Sequence, residues 1–300
     1  MNTTTLASTT RPSPAQVARL VLGLFKLRIG VLIMVTALVG LAVTPGASPS
    51  LVQVAVLALA VLGASAAAGA FNQYYEAESD RLMARTRGRA FASGALPRSR
   101  AWLLLIGALL ALSVGAAWQV LNGSAALYIF LGAFFYGVVY TVWLKRRSWT
   151  NIVVGGLSGS FAVLAGAAAV DPGLGALPLL LALVLFLWTP PHFWSLAIAS
   201  RDDYAAAGIP MLPVVAGTPR AARVVYANTV LLVAVSLLPL LFGAGWVYLL
   251  GAAAGGAHFV LKARALALAP SRKTAMASFF ASMVQLSLLL AAVAIDAALR

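Results

Sequence analysis

The chain has 300 residues, of which 62% are hydrophobic and only 9% charged, with a net charge of +14. An ordinary soluble domain carries about 25% charged residues, so this composition excludes one and describes an integral membrane protein. The 21 Lys and Arg lie between apolar runs and leave no soluble unit to read nucleic acid; with no cysteine, disulfides, thiolate nucleophiles and Cys-ligated metals are excluded.

The first 18 residues, MNTTTLASTTRPSPAQVA, are rich in Ser, Thr and Pro, hold no acid, and read as a disordered cytoplasmic leader. A transit peptide shares this composition; a cleaved signal peptide does not fit, because the following apolar run is too long and carries Lys26 and Arg28 near its start. Nine apolar stretches of membrane-spanning length follow, near residues 20–43, 51–75, 101–119, 124–143, 150–170, 175–198, 222–242, 245–262 and 274–297. The fold class is therefore all-α, a polytopic membrane protein, with residues 19–300 as one intramembrane domain.

The connections alternate in character. Those at 44–50, 121–124, 171–175 and 242–245 contain no Lys or Arg, whereas those at 81–100, 144–149, 199–221 and 263–273 hold most of the basic residues. By the positive-inside rule the N-terminus and the basic loops are cytoplasmic and the C-terminus is outside. The small-residue runs at 64–70, 155–160 and 251–257 suit close helix packing.

Five of the seven carboxylates lie in two clusters, Glu76-Ala-Glu78-Ser-Asp80 and Asp202-Asp203, each ending an apolar segment beside arginines. An acid deep in a bilayer costs about 2.5–3.5 kcal/mol, so such clustering implies a use. Asn72, Glu76 and Asp80 are spaced by four, and each step drifts about 40° around a helix, so all three share a face if the helix runs from 51 to 80. Their oxygens suit Mg²⁺, which takes one or two carboxylates and completes its shell with water and phosphate. Glu78 faces away and reads as solvated.

Arg85 and Arg89, four apart, share a face on a continued helix and can fork onto phosphate oxygens; Arg81, Arg87 and Arg98 read as membrane anchors. Lys145, Arg146 and Arg147 close the fourth segment after Tyr136 and Tyr140, either as an anchor or as cations for a leaving diphosphate. Asp202 and Asp203 are adjacent, so one of them faces any given ligand, and Gly208, Pro210 and Pro213 shape the loop beyond. His192 lies about three turns before Asp203, buried in the membrane, where a lone histidine is more often a hydrogen-bonded core residue than a ligand; His258 offers weaker grounds still.

NQYYEAESDRLMARTRGR (72–89), YTVWLKRRSWTNIVVGG (140–156) and HFWSLAIASRDDYAAAGIPMLPVV (192–215) together resemble the UbiA superfamily of intramembrane prenyltransferases. The Asn-x-x-x-Glu-x-x-x-Asp pattern marks the superfamily, and HFW…LAI…R-x-DY…AGIPMLP points to its haem-farnesylating branch. The resemblance runs from about Phe25 to the end. It implies helices around a central cavity and Mg²⁺-dependent transfer of a farnesyl group from farnesyl diphosphate to a vinyl group of haem b, giving haem O. A UbiA-type prenyltransferase with a quinone-precursor or chlorin acceptor keeps the same motifs. A transporter is a distant alternative, since its polar groups belong near the midplane.

Carried over residue by residue, the resemblance makes Asn72, Glu76, Asp80 and Asp203 catalytic and metal-binding, with Asp202 or water standing in as a metal ligand for the second-motif acid that falls at Ala199. Arg85, Arg89, Lys145 and Arg146 become diphosphate contacts, and His192, Tyr140 and Lys26 substrate or haem candidates. The implied setting is a bacterial inner membrane, in preference to the mitochondrial one, with haem A synthase or terminal-oxidase assembly as partners. Three departures stand out: Ala199 replaces the superfamily's other second-motif acid, Leu27 stands where the first helix has a proline, and LSGSFAVLAG (157–166) replaces a Pro-Pro pair.

Overall fold

A computed structural model of the chain describes residues 13–299. Among the described residues every regular element is helical. Most of the expected leader, residues 1–12, lies outside the described residues, and helix α1 (Pro14–Leu24) begins inside its last part. The chain continues through α2 (Leu27–Ala42), α3 (Leu51–Tyr75), α4 (Ala77–Arg81), α5 (Arg100–Val120) and α6 (Gly123–Phe134), which runs on as a π-helix (Phe135–Leu144). Then come α7 (Asn151–Gly155), α8 (Leu157–Val170), α9 (Ala176–Ala199), α10 (Arg201–Ala206), α11 (Leu212–Val215), α12 (Thr218–Val235), α13 (Trp246–Leu268) and α14 (Arg272–Ala298).

The long helices pack in a ring in chain order: α2, α3, α5, α6, α8, α9, α12, α13 and α14, with α14 returning against α2. These are the nine segments expected from the sequence. Seven are long and apolar enough to cross a membrane, or eight counting α1 and α2 as one span bent by 42°. The remaining one, α13, is diluted by its glycines, His258, Lys262 and Arg264, and it extends to Leu268 rather than stopping near 262. The segment expected over 222–242 is shorter as a regular helix, because Pro239 lacks the N–H that would continue it and a tight 3₁₀ turn, Leu238–Phe242, takes over.

Two contacts pin the ring. A Cβ at Gly166 would collide with the Ala37 carbonyl, and one at Gly40 with the Val163 carbonyl, so α2 and α8 touch backbone to backbone. In lipid, where apolar burial drives helices together weakly, such contact supplies much of the attraction. At the far end of the ring from the acidic clusters, Asp296 of α14 accepts hydrogen bonds from Gly245 N (2.8 Å) and Tyr248 N (3.5 Å), capping the start of α13. This carboxylate satisfies N–H groups that the helix cannot pair for itself.

Candidate functional site

The site forms where α3 and the π-helix end and α2 begins. Helix α3 is about 38 Å long at 1.5 Å per residue, longer than a hydrocarbon core of about 30 Å, so it has more than enough length to cross the core and reach the headgroup region. The expected unbroken helix to residue 80 is corrected: Glu76 sits at a joint (φ −89, ψ 5) between α3 and α4. The common face survives, because Glu76 N still donates to Asn72 O (3.0 Å) and Asp80 N to Glu76 O (2.8 Å). Asn72, Glu76 and Asp80 are all buried, whereas the Glu78 side chain is 64% exposed and pairs with Arg81 at 3.0 Å.

Each of the three buried oxygen-bearing groups meets a cation from elsewhere in the chain. Lys26 Nζ donates to Asn72 Oδ1 at 2.6 Å, Lys145 Nζ lies 2.5 Å from the Glu76 carboxylate, and Arg89 Nη1 donates to Asp80 Oδ2 at 2.8 Å. Asn72 Nδ2 donates to Thr141 Oγ1 (3.0 Å), whose hydroxyl donates to Tyr136 O (2.8 Å), so the amide oxygen is turned toward Lys26. Lys26 also donates to the Tyr136 hydroxyl at 3.0 Å. Arg146 reaches Ser79 Oγ at 3.1 Å.

The π-helix explains how Lys145 arrives. On an α-helix, residues nine apart stand on opposite sides, at about 100° per residue, so Tyr136 and Lys145 would diverge. Here Lys145 N bonds Tyr140 O at 2.9 Å, an i to i+5 closure. The slower winding brings Tyr136, Tyr140, Thr141 and Lys145 to one side. Tyr136 and Tyr140 stack with ring centroids 5.6 Å apart, and Lys145 Nζ lies 5.7 Å from the Tyr140 ring centroid. Nothing in the apolar periodicity of FYGVVYTVWL signals this change of pitch.

Lys26 enters through backbone strain. It has φ 49 and ψ 41, a left-handed conformation that a lysine rarely adopts. Gln73 Nε2 donates to Gly23 O (3.0 Å) and Leu24 O (3.1 Å), tying the bend to α3. Gly69 leaves room for the lysine stem, since a Cβ there would lie 3.4 Å from Lys26 Cδ.

Arg85 and Arg89 do not share a helix, correcting the expected continuation past Arg81. Residues 82–99 fold back as turns, held by Phe91 packing edge-on against Tyr74 and Trp102 and by Thr86 Oγ1 donating to Asp80 O (3.0 Å). Arg89 thereby returns to Asp80, and Arg85 Nη2 donates to the Tyr204 hydroxyl at 3.4 Å. Tyr204, next to Asp203 on α10, is buried; its hydroxyl pKa is raised by burial, opposed by Arg85, so it stays protonated. The sequence reading missed Tyr204 and Thr141, whose only signal was a polar group beside a motif residue.

The second cluster is less gathered. The Asp202 side chain is 96% exposed and pairs with Arg201 at 3.4 Å, so the structure does not bring it to the site. Asp203 is half-buried, and among the described residues its carboxylate has no ion pair. His192, on α9, contacts α14 through Ser282 and Phe279. Among the described residues no three His, Asp or Glu side chains form a ready-made cage. The donor chemistry nevertheless fits Mg²⁺: a carboxamide oxygen and two buried carboxylates, with water and phosphate to complete the shell.

The model of the UbiA prenyltransferase family matches residues 33–286, and the chain belongs to that family. Among its relatives, protoheme IX farnesyltransferase 2 of Paramagnetospirillum magneticum is 57% identical over 272 residues, covering 91% of this chain and 94% of that one. Protoheme IX farnesyltransferase 1 of the same organism is 48% identical over 275 residues, covering 91% and 96%. Among solved structures, a UbiA homologue from Archaeoglobus fulgidus bound to DMAPP and Mg²⁺ superposes with a TM-score of 0.67 at 16% identity, covering 92% of this chain and 99% of that one. A digeranylgeranylglyceryl phosphate synthase structure gives 0.76 at 18% identity, covering 93% and 98%. At these identities the two structures establish the shared fold.

Proposed function

We propose that this protein transfers the farnesyl group of farnesyl diphosphate to a vinyl group of haem b. The observation that carries the reading is the set of three buried oxygen-to-cation pairs, Asn72 with Lys26, Glu76 with Lys145 and Asp80 with Arg89, in a chain 57% identical to a relative named for this reaction. Asn72, Glu76, Asp80 and Asp203 would hold Mg²⁺, which when bound would supply Lewis-acid neutralisation of the diphosphate. Asp202 is at most secondary.

Arg85, Arg89, Lys145 and Arg146 face the diphosphate and stabilise the charge that builds as its C1–O bond breaks, the oxygen keeping the electron pair. The stacked Tyr136 and Tyr140 lie beside two of the site's cations, with Lys26 Nζ 5.5 Å from the Tyr136 ring centroid and Lys145 Nζ 5.7 Å from that of Tyr140. Apolar walls keep bulk water from the allylic cation that remains. The vinyl π electrons form the new carbon–carbon bond, one water adds its hydroxyl to the other vinyl carbon, and a proton is released, giving haem O.

In this reading residues 19–300 act as one intramembrane unit in a bacterial inner membrane, with the N-terminus and the site in the cytoplasmic half and the C-terminus outside. The product passes to haem A synthase or to terminal-oxidase assembly. The test is incubation of the purified protein with haem b, farnesyl diphosphate and Mg²⁺, followed by mass spectrometry. A product heavier than haem b by one farnesyl group and one hydroxyl supports the proposal. Prenylation only of a quinone precursor or chlorin would overturn it.

A further inference from the structure

Lys145 is carried by a turn whose shape one buried side chain holds. The π-helix ends at Leu144, where Lys145 N bonds Tyr140 O (2.9 Å) and Ser148 N bonds Leu144 O (3.0 Å). The chain then turns through residues 146–150 into α7. Asn151 opens α7 and is fully buried. Its Nδ2 donates to Ser148 O at 2.6 Å and lies 3.5 Å from Lys145 O, so a single amide spans the turn from one end to the other.

The far end of α7 closes the loop. Gly155 sits against the Tyr140 ring, so near that a Cβ there would stand 2.8 Å from Tyr140 Cδ2. Tyr140 therefore meets the segment at both ends: its carbonyl takes the Lys145 N–H, and its ring seats Gly155. Within this loop Lys145 Nζ lies 5.7 Å from the Tyr140 ring centroid and 2.5 Å from the Glu76 carboxylate. Trp149, inside the turn, has its ring centroid 6.1 Å from that of Trp194 on α9, which ties the turn to a neighbouring helix.

The other half of the amide is unused. Asn151 Oδ1 is buried and, among the described residues, has no hydrogen-bond partner. A buried acceptor without a donor destabilises a fold, and a leucine of similar shape would avoid that cost. The asparagine is thus a net benefit only through what its Nδ2 holds. Departures of this kind from local rules are expected at functional sites.

A lysine head on its flexible four-carbon stem reaches a defined point only when the backbone beneath it is fixed. We infer that Asn151 is the positioning residue for Lys145: its amide fixes the turn that holds the lysine at the diphosphate as the C1–O bond breaks. The inference rests on the reading of Lys145 as a diphosphate contact and adds what keeps it there. The cation then stands ready at the leaving oxygen instead of being recruited during the reaction, which is how preorganised charge lowers a barrier.

The test is a double-mutant cycle read as binding. The detergent-purified full chain is titrated in the cold, with Mg²⁺ present, against a farnesyl diphosphate analogue carrying sulfur in place of the bridging C1 oxygen, which resists cleavage. Asn151→Leu is expected to bind this analogue at least about tenfold more weakly than wild type. In a Lys145→Met background the same change should alter binding less than about threefold, because the group it positions is gone. Asn151→Ser, whose hydroxyl can donate to Ser148 O as Ser79 and Ser158 do to their own i−3 carbonyls (3.1 and 2.8 Å), should recover most of the loss. If Asn151→Leu does not purify folded, Asn151→Asp, which has the native shape and lacks only the donor, replaces it with the same expectations.

Equal losses in the two backgrounds would make Asn151 a residue of the fold alone, and unchanged binding in Asn151→Leu would mean that Lys145 is held by other means. Either result overturns the inference. Wild type that farnesylates haem b in those cases keeps the proposed function. Wild type that binds the analogue but prenylates only another acceptor loses the haem reading and leaves the role of Asn151 standing.

Discussion

Glu76 and Lys145 meet at 2.5 Å although 69 residues separate them, and both side chains are buried. The pair joins the end of α3 to the end of the π-helix. Breaking a buried pair by removing one partner typically costs 3–5 kcal/mol, about as much as the stability of a marginal fold. Lys145→Met is therefore expected to lower the thermal midpoint in detergent sharply, and Glu76→Gln on top of it to recover most of the loss. Turnover should stay abolished in both. A double variant no more stable than Lys145→Met would show that the pair is not the source of the effect.

Turnover is expected to require a divalent metal. Asp80→Ala should abolish product formation while the protein still inserts and purifies folded, and excess chelator should do the same to wild type. Full wild-type activity in chelator would remove the metal from the reading.

The two acids of the second cluster are expected to separate. Asp202 is solvent-exposed and tied to Arg201, so Asp202→Asn should reduce turnover less than tenfold, a barrier change below about 1.4 kcal/mol. Asp203→Asn should cost far more than tenfold at saturating Mg²⁺. Equal losses would indicate an unwound, shared site.

Thr141 turns the Asn72 amide by accepting from Nδ2 at 3.0 Å. Thr141→Val keeps the shape and removes both of its hydrogen bonds. Groups that orient a ligand are worth roughly 10–100-fold in metal affinity or activity. The half-saturating Mg²⁺ concentration should rise by that order, and Thr141→Ser should restore it. An unchanged Mg²⁺ dependence in Thr141→Val would leave Asn72 oriented by other means.

A single cysteine at Ser93, exposed in the loop after α4, can be placed cleanly because the chain has none. The charge distribution predicts a cytoplasmic position. Labelling by an impermeant thiol reagent from outside sealed cells would reverse the orientation.

Much of this architecture was legible because hydrophobic length and charge asymmetry act locally along the chain. The nine rods and the face shared by Asn72, Glu76 and Asp80 follow from runs and spacings alone. What escaped depends on departures from regular pitch. Lys26 reaches Asn72 only through a left-handed residue, Lys145 reaches Glu76 only through i to i+5 winding, and Arg89 reaches Asp80 only because residues 82–99 double back. None of these has a periodic signature, and each is stabilised by contacts tens of residues away. Adjacency in sequence does not say which of Asp202 and Asp203 a helix turns outward; the fold turns Asp202 to solvent and half-buries Asp203.

The reciprocal notches of Gly40 and Gly166 limit how the molecule can move. With a carbonyl filling the space where each Cβ would be, neither α2 nor α8 can slide or roll against the other without one backbone striking its neighbour. That pair is a fixed wall. A prenyl chain or a porphyrin wide enough to need clearance must therefore be admitted by displacement of other elements, and a bulkier residue at either glycine would shift the wall itself, disturbing substrate admission without touching a single polar group of the site.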